Sequence, residues 1–81
     1  MISRTLAVLG STGTIGNYTL QIVDKYPGQF RVVSLSCAKN IEKLIPQIEK
    51  YRPSVVSIEA YEAISELKKR FPEVKFFSVR E

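Results

Sequence analysis

Short apolar runs alternate along this chain with stretches whose apolar residues recur every three or four positions. "RTLAVLG" (4–10) is apolar and closed by glycine, which predicts a strand. From Ile15 to Tyr26, apolar residues at 15, 18, 22, 23 and 26 follow helical spacing. "FRVVSLS" (30–36) returns to β-branched strand chemistry. Asn40 then offers a cap to a helix carrying Ile41, Leu44, Ile45 and Ile48 on one face. "SVVSI" (54–58) predicts a third strand. Ala60, Ala63, Ile64, Leu67 and Phe71 mark a third helix, with Glu66 and Arg70 spaced to pair on its surface. "VKFFSV" (74–79) predicts a fourth strand.

A weak internal repeat supports this division. "KYPGQFRVVSL", "KYRPSVVSI" and "RFPEVKFFSV" each close a helix near an aromatic residue, place a proline, and enter a strand. Proline lacks the backbone donor and pushes the preceding residue out of helical geometry, so it suits that junction. Pro46 breaks the pattern, because it falls inside the second helix; a kink or a late helix start is the expectation there. Strand–helix–strand alternation with short connections implies a parallel sheet with right-handed crossovers. The expected architecture is Rossmann-like α/β, built from βαβαβ(αβ) units, with the first three strands in the order 3-2-1. The fourth strand has two open positions, outside strand 3 or beside strand 1.

The three glycines of "VLGSTGTIGN" (8–17) take their meaning from this context. Gly10 follows strand 1 and permits a tight turn. Gly13 lets backbone approach a pyrophosphate with no Cβ in the way, and Gly16 allows the helix to pack closely on the strand. Amides at the helix start point at the anion, helped by the helix dipole, and the hydroxyls of Ser11, Thr12 and Thr14 add donors. The G-x-x-x-x-G-K-[ST] pattern is absent, which argues against an NTPase P-loop. NAD enzymes place an acid at the end of strand 2 for the ribose 2′-hydroxyl. "LSCAKN" (35–40) has none. It offers Ser36, Lys39 and Asn40, donors and a cation suited to a 2′-phosphate, and this favours NADP over NAD.

Composition narrows the chemistry further. The 81 residues suit one small domain, 44% hydrophobic and 25% charged. They contain no histidine, one cysteine (Cys37) and one aspartate (Asp24). A Ser-His-Asp triad, a histidine general base, a histidine-bearing metal site, an internal disulfide and a zinc knuckle are excluded within them. The glutamates occur singly, as solvated charges on helix surfaces or ends. The net charge of +4 is scattered. Its one run, Lys68-Lys69-Arg70, falls at a predicted helix end, where the dipole favours cations, so no nucleic-acid partner is expected. No apolar run reaches membrane-spanning length. Met1 leads almost at once into "RTLAVLG", so neither a signal nor a transit peptide is expected, and the expected location is cytoplasmic. The residues alone reach a phosphate-binding βαβ unit with an NADP preference. Another NADP-dependent dehydrogenase, an epimerase, or a non-catalytic nucleotide-sensing module also fits them.

"LGSTGTIGNYTLQIV", "FRVVSLSCAKNIEKL" and "RPSVVSI" together resemble the N-terminus of the 1-deoxy-D-xylulose 5-phosphate reductoisomerases. The G-S-T-G-[ST]-I-G turn and the A-x-x-N segment carry the resemblance over most of the chain. It implies that residues 1–81 are the N-terminal part of an NAD(P)-binding Rossmann domain. The implied parent is an NADPH-dependent homodimer of the non-mevalonate isoprenoid pathway, requiring magnesium or manganese. That enzyme isomerises its sugar phosphate and reduces the product to 2-C-methyl-D-erythritol 4-phosphate. Carried over by position, NADPH contacts fall on Thr12, Gly13, Thr14 and Ile15 at the pyrophosphate turn, and on Ala38, Lys39 and Asn40 near the 2′-phosphate. Many members have glycine in place of Ala38 and alanine in place of Cys37, and the Ala38 methyl restricts backbone approach. Cys37 is expected to be a small buried filler. The family's carboxylate metal ligands, substrate-phosphate residues and active-site loop are implied to lie beyond residue 81, so this stretch is expected to bind cofactor without catalysing.

Overall fold

A computed structural model describes residues 4–78. The elements follow in the order β1 (Arg4–Val8), α1 (Thr14–Lys25), β2 (Phe30–Cys37), α2 (Ile41–Tyr51) and β3 (Val55–Ile58). A short 3₁₀ turn at Tyr61–Ala63 then leads into α3 (Ile64–Arg70) and β4 (Lys75–Ser78). All neighbouring strands are parallel, in the spatial order β1-β2-β3-β4. The expected 3-2-1 order therefore holds, and the fourth strand lies outside β3. Val79, the last residue of the expected fourth strand, falls outside the described residues.

Each crossover steps the same way across the sheet. Right-handed connections therefore put all three helices on one face. Val8, Val32, Leu35, Cys37, Val56, Ile58 and Phe76 point from the strands into that interface, against Leu20, Val23, Leu44, Ile48 and Leu67 of the helices. The register between β1 and β2 slips by one residue at Leu6/Ala7, leaving Val33 as an extra residue in β2. The bulge keeps both Val32 and Leu35 buried although they are three residues apart, an odd spacing that regular alternation forbids. The opposite strand face carries Thr5, Ala7, Ser34, Ser36, Val55, Ser57 and Phe77, none of them fully buried.

Several elements differ from their sequence-based outlines. Strand 1 ends at Val8 rather than at residue 10, because Gly10 takes φ +62 and turns the chain. Of the periodic set on α1, only Val23 faces the core. Ile15 (76% exposed), Tyr18, Ile22 and Tyr26 form an outer stripe, while Gly16, Leu20 and Val23 are buried. Helix α2 begins at Ile41 and runs through Pro46, so there is no late start. Leu44 and Ile48, both fully buried, anchor it on either side of the proline. Arg70 reaches Glu49 of α2 at 3.4 Å, and among the described residues it makes no ion pair with Glu66.

The three prolines of the repeat do stand between helix and strand, with Pro53 buried. Lys68, Lys69 and Arg70 occupy the last turn of α3 as expected. At the far ends of α1 and α2, Asp24 accepts from Lys50 Nζ and from the Tyr51 hydroxyl, both at 2.8 Å. The Lys50 hydrogen bond holds the Asp24 carboxyl below its ordinary value. No helix among the described residues is long and apolar enough to cross a membrane.

Candidate functional site

The C-terminal ends of β1 and β2 are neighbours, and the segments leaving them meet. From β1 comes the glycine turn, residues 10–16; from β2 comes the loop Ala38–Asn40. Ser36 joins the two. Its carbonyl accepts the Ser11 N–H at 2.7 Å, and its hydroxyl oxygen accepts the Gly10 N–H at 3.3 Å. Cys37 lies buried between them, beside the Thr12 hydroxyl and the Asn40 N–H, and burial pushes its thiol pKa up. It fills space as a small side chain, as expected. The Ala38 carbonyl accepts from the N–H groups of Glu59 and Ala60, which fixes this loop to the end of β3.

The glycines of the turn answer to different constraints. Gly10 needs its left-handed backbone. A Cβ on Gly16 would stand 2.2 Å from the Gly10 carbonyl oxygen and 2.7 Å from Ser11 Cα, so the helix can seat on the turn only without one. Gly13 has neither constraint. Its φ of −87° suits any residue, and a Cβ there would meet only the Gly10 carbonyl oxygen, at 3.4 Å. The fold tolerates a side chain at 13, and the backbone there is bare, exposed and open to a group from outside the fold.

Its surroundings show what that could be. Gly13 is the N-cap of α1, yet no side chain caps the helix and no acid stands in its first turn. The first intrahelical bond is Asn17 N–H to the Gly13 carbonyl, so the amides of Thr14, Ile15 and Gly16 have no helical acceptor. The Thr12 N–H also has no acceptor among the described residues. Uncommitted amides at an exposed helix start, with no acid in its first turn, make an anion cradle. Thr12 is half-buried, and Gly13, Thr14 and Ile15 are exposed around it. The arrangement fits a dinucleotide pyrophosphate at the turn, with the exposed Lys39 cation on the adjacent loop.

Three candidate residues serve the scaffold more than expected. Ser11 is completely buried and its hydroxyl has no protein partner, so it adds no donor to the outer surface. The Ser36 hydroxyl oxygen is engaged by Gly10. Asn40 caps α2, its Oδ1 accepting the Lys43 N–H at 3.3 Å, which leaves its amide N–H groups for a ligand. Sequence reasoning missed Gln47 altogether. From the middle of α2 its Nε2 donates to the Ser11 carbonyl at 2.8 Å.

Comparison with known proteins places this geometry in a family. The model of the 1-deoxy-D-xylulose 5-phosphate reductoisomerase family matches residues 6–79. The chain belongs to that family. The reductoisomerase of Thermosynechococcus vestitus is 52% identical over 66 residues, covering 82% of this chain and 16% of that protein. The Synechococcus reductoisomerase is 48% identical over 67 residues, again 16% of its length. The chain therefore spans about one sixth of these reductoisomerases. Among solved structures, a DOX-P reductoisomerase in complex with magnesium superposes with a TM-score of 0.87 at 25% identity, over 96% of this chain and 20% of that one. A DOX-P reductoisomerase in complex with NADPH, fosmidomycin and magnesium gives 0.85 at 25% identity, over 94% and 19%. Among the described residues of this family member, no three His, Cys, Asp or Glu side chains cluster as a metal site would require.

Proposed function

We propose that this chain is the NADPH-binding N-terminal part of a 1-deoxy-D-xylulose 5-phosphate reductoisomerase, with residues 1–81 forming the opening units of its cofactor domain. The observation that carries the reading is Gly13. The fold does not require a glycine there, yet it presents bare backbone among uncommitted amides at an uncapped helix start. The amides of Thr12, Thr14, Ile15 and Gly16 hold the pyrophosphate, with Gly10 and Ser11 shaping the turn. Lys39 meets the adenosine 2′-phosphate, helped by the Asn40 amide, while Ser36 and Ala38 fix the loop that carries them. NADPH, when bound, supplies the hydride for reduction.

Family membership supports the activity of the whole protein, which isomerises and reduces 1-deoxy-D-xylulose 5-phosphate to 2-C-methyl-D-erythritol 4-phosphate. The NADPH and magnesium named for a structural relative support the same cofactors here. Magnesium or manganese, the sugar phosphate and the homodimer contacts then belong to parts of the enzyme outside these residues, and the enzyme works in the cytoplasm.

An amide-resolved NMR titration with NADPH and then NADH tests the cofactor reading. Shifts concentrated at 11–16 and 36–40, with NADPH the tighter ligand, are expected. A folded spectrum that responds to neither cofactor overturns it.

A further inference from the structure

The peptide units of the glycine turn are held one by one. The Gly10 and Ser11 N–H groups are fixed by Ser36, and the Gly13 N–H returns to the Gly10 carbonyl at 2.9 Å. The unit between Ser11 and Thr12 is held differently. Its N–H has no acceptor among the described residues, and its carbonyl is gripped by Gln47 Nε2 at 2.8 Å, across 36 positions of sequence. A trans peptide is planar, and its N–H points opposite to its C=O. With the Ser11 carbonyl drawn toward α2, the Thr12 N–H must face away from α2, to the exposed side of the turn. A peptide free to rotate could present the carbonyl instead, and a carbonyl oxygen repels an anion.

The other end of the Gln47 amide is bound to nothing. Its Oε1 is buried without a hydrogen-bond partner. A side chain placed only to stabilise α2 against α1 would gain more by satisfying both ends, since an unpaired buried polar atom is costly. We propose that Gln47 is a positioning residue: through the Ser11 carbonyl it aims the Thr12 N–H at the cofactor's pyrophosphate. This rests on the NADPH reading above and extends it to a residue outside the turn.

The test uses the chain with Gln47→Met, which keeps length but loses the donor, and Gln47→Glu, whose carboxyl donates only when protonated. NADPH and inorganic pyrophosphate affinities are measured from pH 5 to 8, with amide spectra recorded alongside. Q47M is expected to weaken both ligands about tenfold. The NADPH-to-NADH preference should not change, and the Thr12 amide resonance should move while the core stays folded. Q47E is expected to bind poorly at pH 8 and to recover as the pH falls, because the protonated carboxyl again donates to the Ser11 carbonyl. Since that change is read within a single folded variant, it holds even if Q47M proves unstable.

Unchanged affinity in Q47M, or a Q47E profile parallel to that of the original chain, overturns the role of Gln47 and leaves the NADPH reading intact. An original chain that binds neither NADPH nor pyrophosphate overturns both.

Discussion

Helices α1 and α2 start side by side at the same edge of the sheet, yet their first turns are built in opposite ways. Helix α2 is completed by the protein itself. Asn40 caps it and Glu42 stands in its first turn, so amides and dipole are both answered internally. Helix α1 has glycine at the cap position, no side-chain cap and no acid. One helix start is finished as structure; the other is left open. An open start costs stability, and a chain this small has little to spare. The arrangement makes sense where a ligand completes α1 as Asn40 completes α2.

The comparison breaks most violently at Gly16. Its absent Cβ brings α1 onto the turn, and the atoms it would strike belong to the backbone of Gly10 and Ser11, which cannot swing aside as a side chain could. Gly16→Ala is expected to destabilise by roughly 3 kcal/mol or more, near the upper end for overpacking. Urea denaturation followed by circular dichroism checks this. A variant within about 0.5 kcal/mol of the original would show that the turn and helix can separate without loss, so that Gly16 does not fix the open start.

Gly13 sharpens the contrast, because stability and binding should part company there. Gly13→Asp gives α1 what α2 already has: a side-chain cap and a negative charge at the helix start. The backbone is already extended there, as an N-cap requires. Stability is expected to hold or rise by a few tenths of a kcal/mol. NADPH affinity is expected to fall about a hundredfold, since the carboxylate occupies the anion's position and repels it. Thermal denaturation with and without NADPH reads both effects. If binding survived in Gly13→Asp, the pyrophosphate would not lie at this helix start.

Much of this contrast was legible in the sequence, and the misses share a physical cause. Glycine spacing, the strand before it and the absence of an acid after β2 all follow from local chain chemistry, and the structure joins them at one edge. The spacing of apolar residues predicted α1 but not its core face, because apolar residues lie on both sides of that helix. Gly16, its closest contact with the turn, has no hydrophobicity to count, while Ile15, Tyr18, Ile22 and Tyr26 face outward. The late start weighed at Pro46 does not occur, since burial of Leu44 and Ile48 carries the helix through it. Ser11 looked like a donor because it lies in the glycine turn, but the left-handed turn at Gly10 and the bond from its N–H to the Ser36 carbonyl bury it. Gln47 had no signal at all. A glutamine on a half-polar helix is ordinary, and only the folded chain brings it to the Ser11 carbonyl.

The smallest expected effect lies at the finished helix. Asn40 has one observed task and a second, proposed one: its Oδ1 accepts the Lys43 N–H, and its amide N–H groups are proposed to help Lys39 hold the 2′-phosphate. Asn40→Ala removes both and is expected to cost about 1 kcal/mol of stability. Asn40→Asp separates them. It keeps the cap and improves the match to the helix dipole, but it replaces a donor with a carboxylate that repels the 2′-phosphate. Its stability should match the original, while NADPH loses affinity and NADH, which has no 2′-phosphate, does not. Calorimetric titration with the two cofactors distinguishes the roles. If Asn40→Asp preferred NADPH over NADH as strongly as the original chain does, the residue would be purely a cap, and the 2′-phosphate would be read by Lys39 alone.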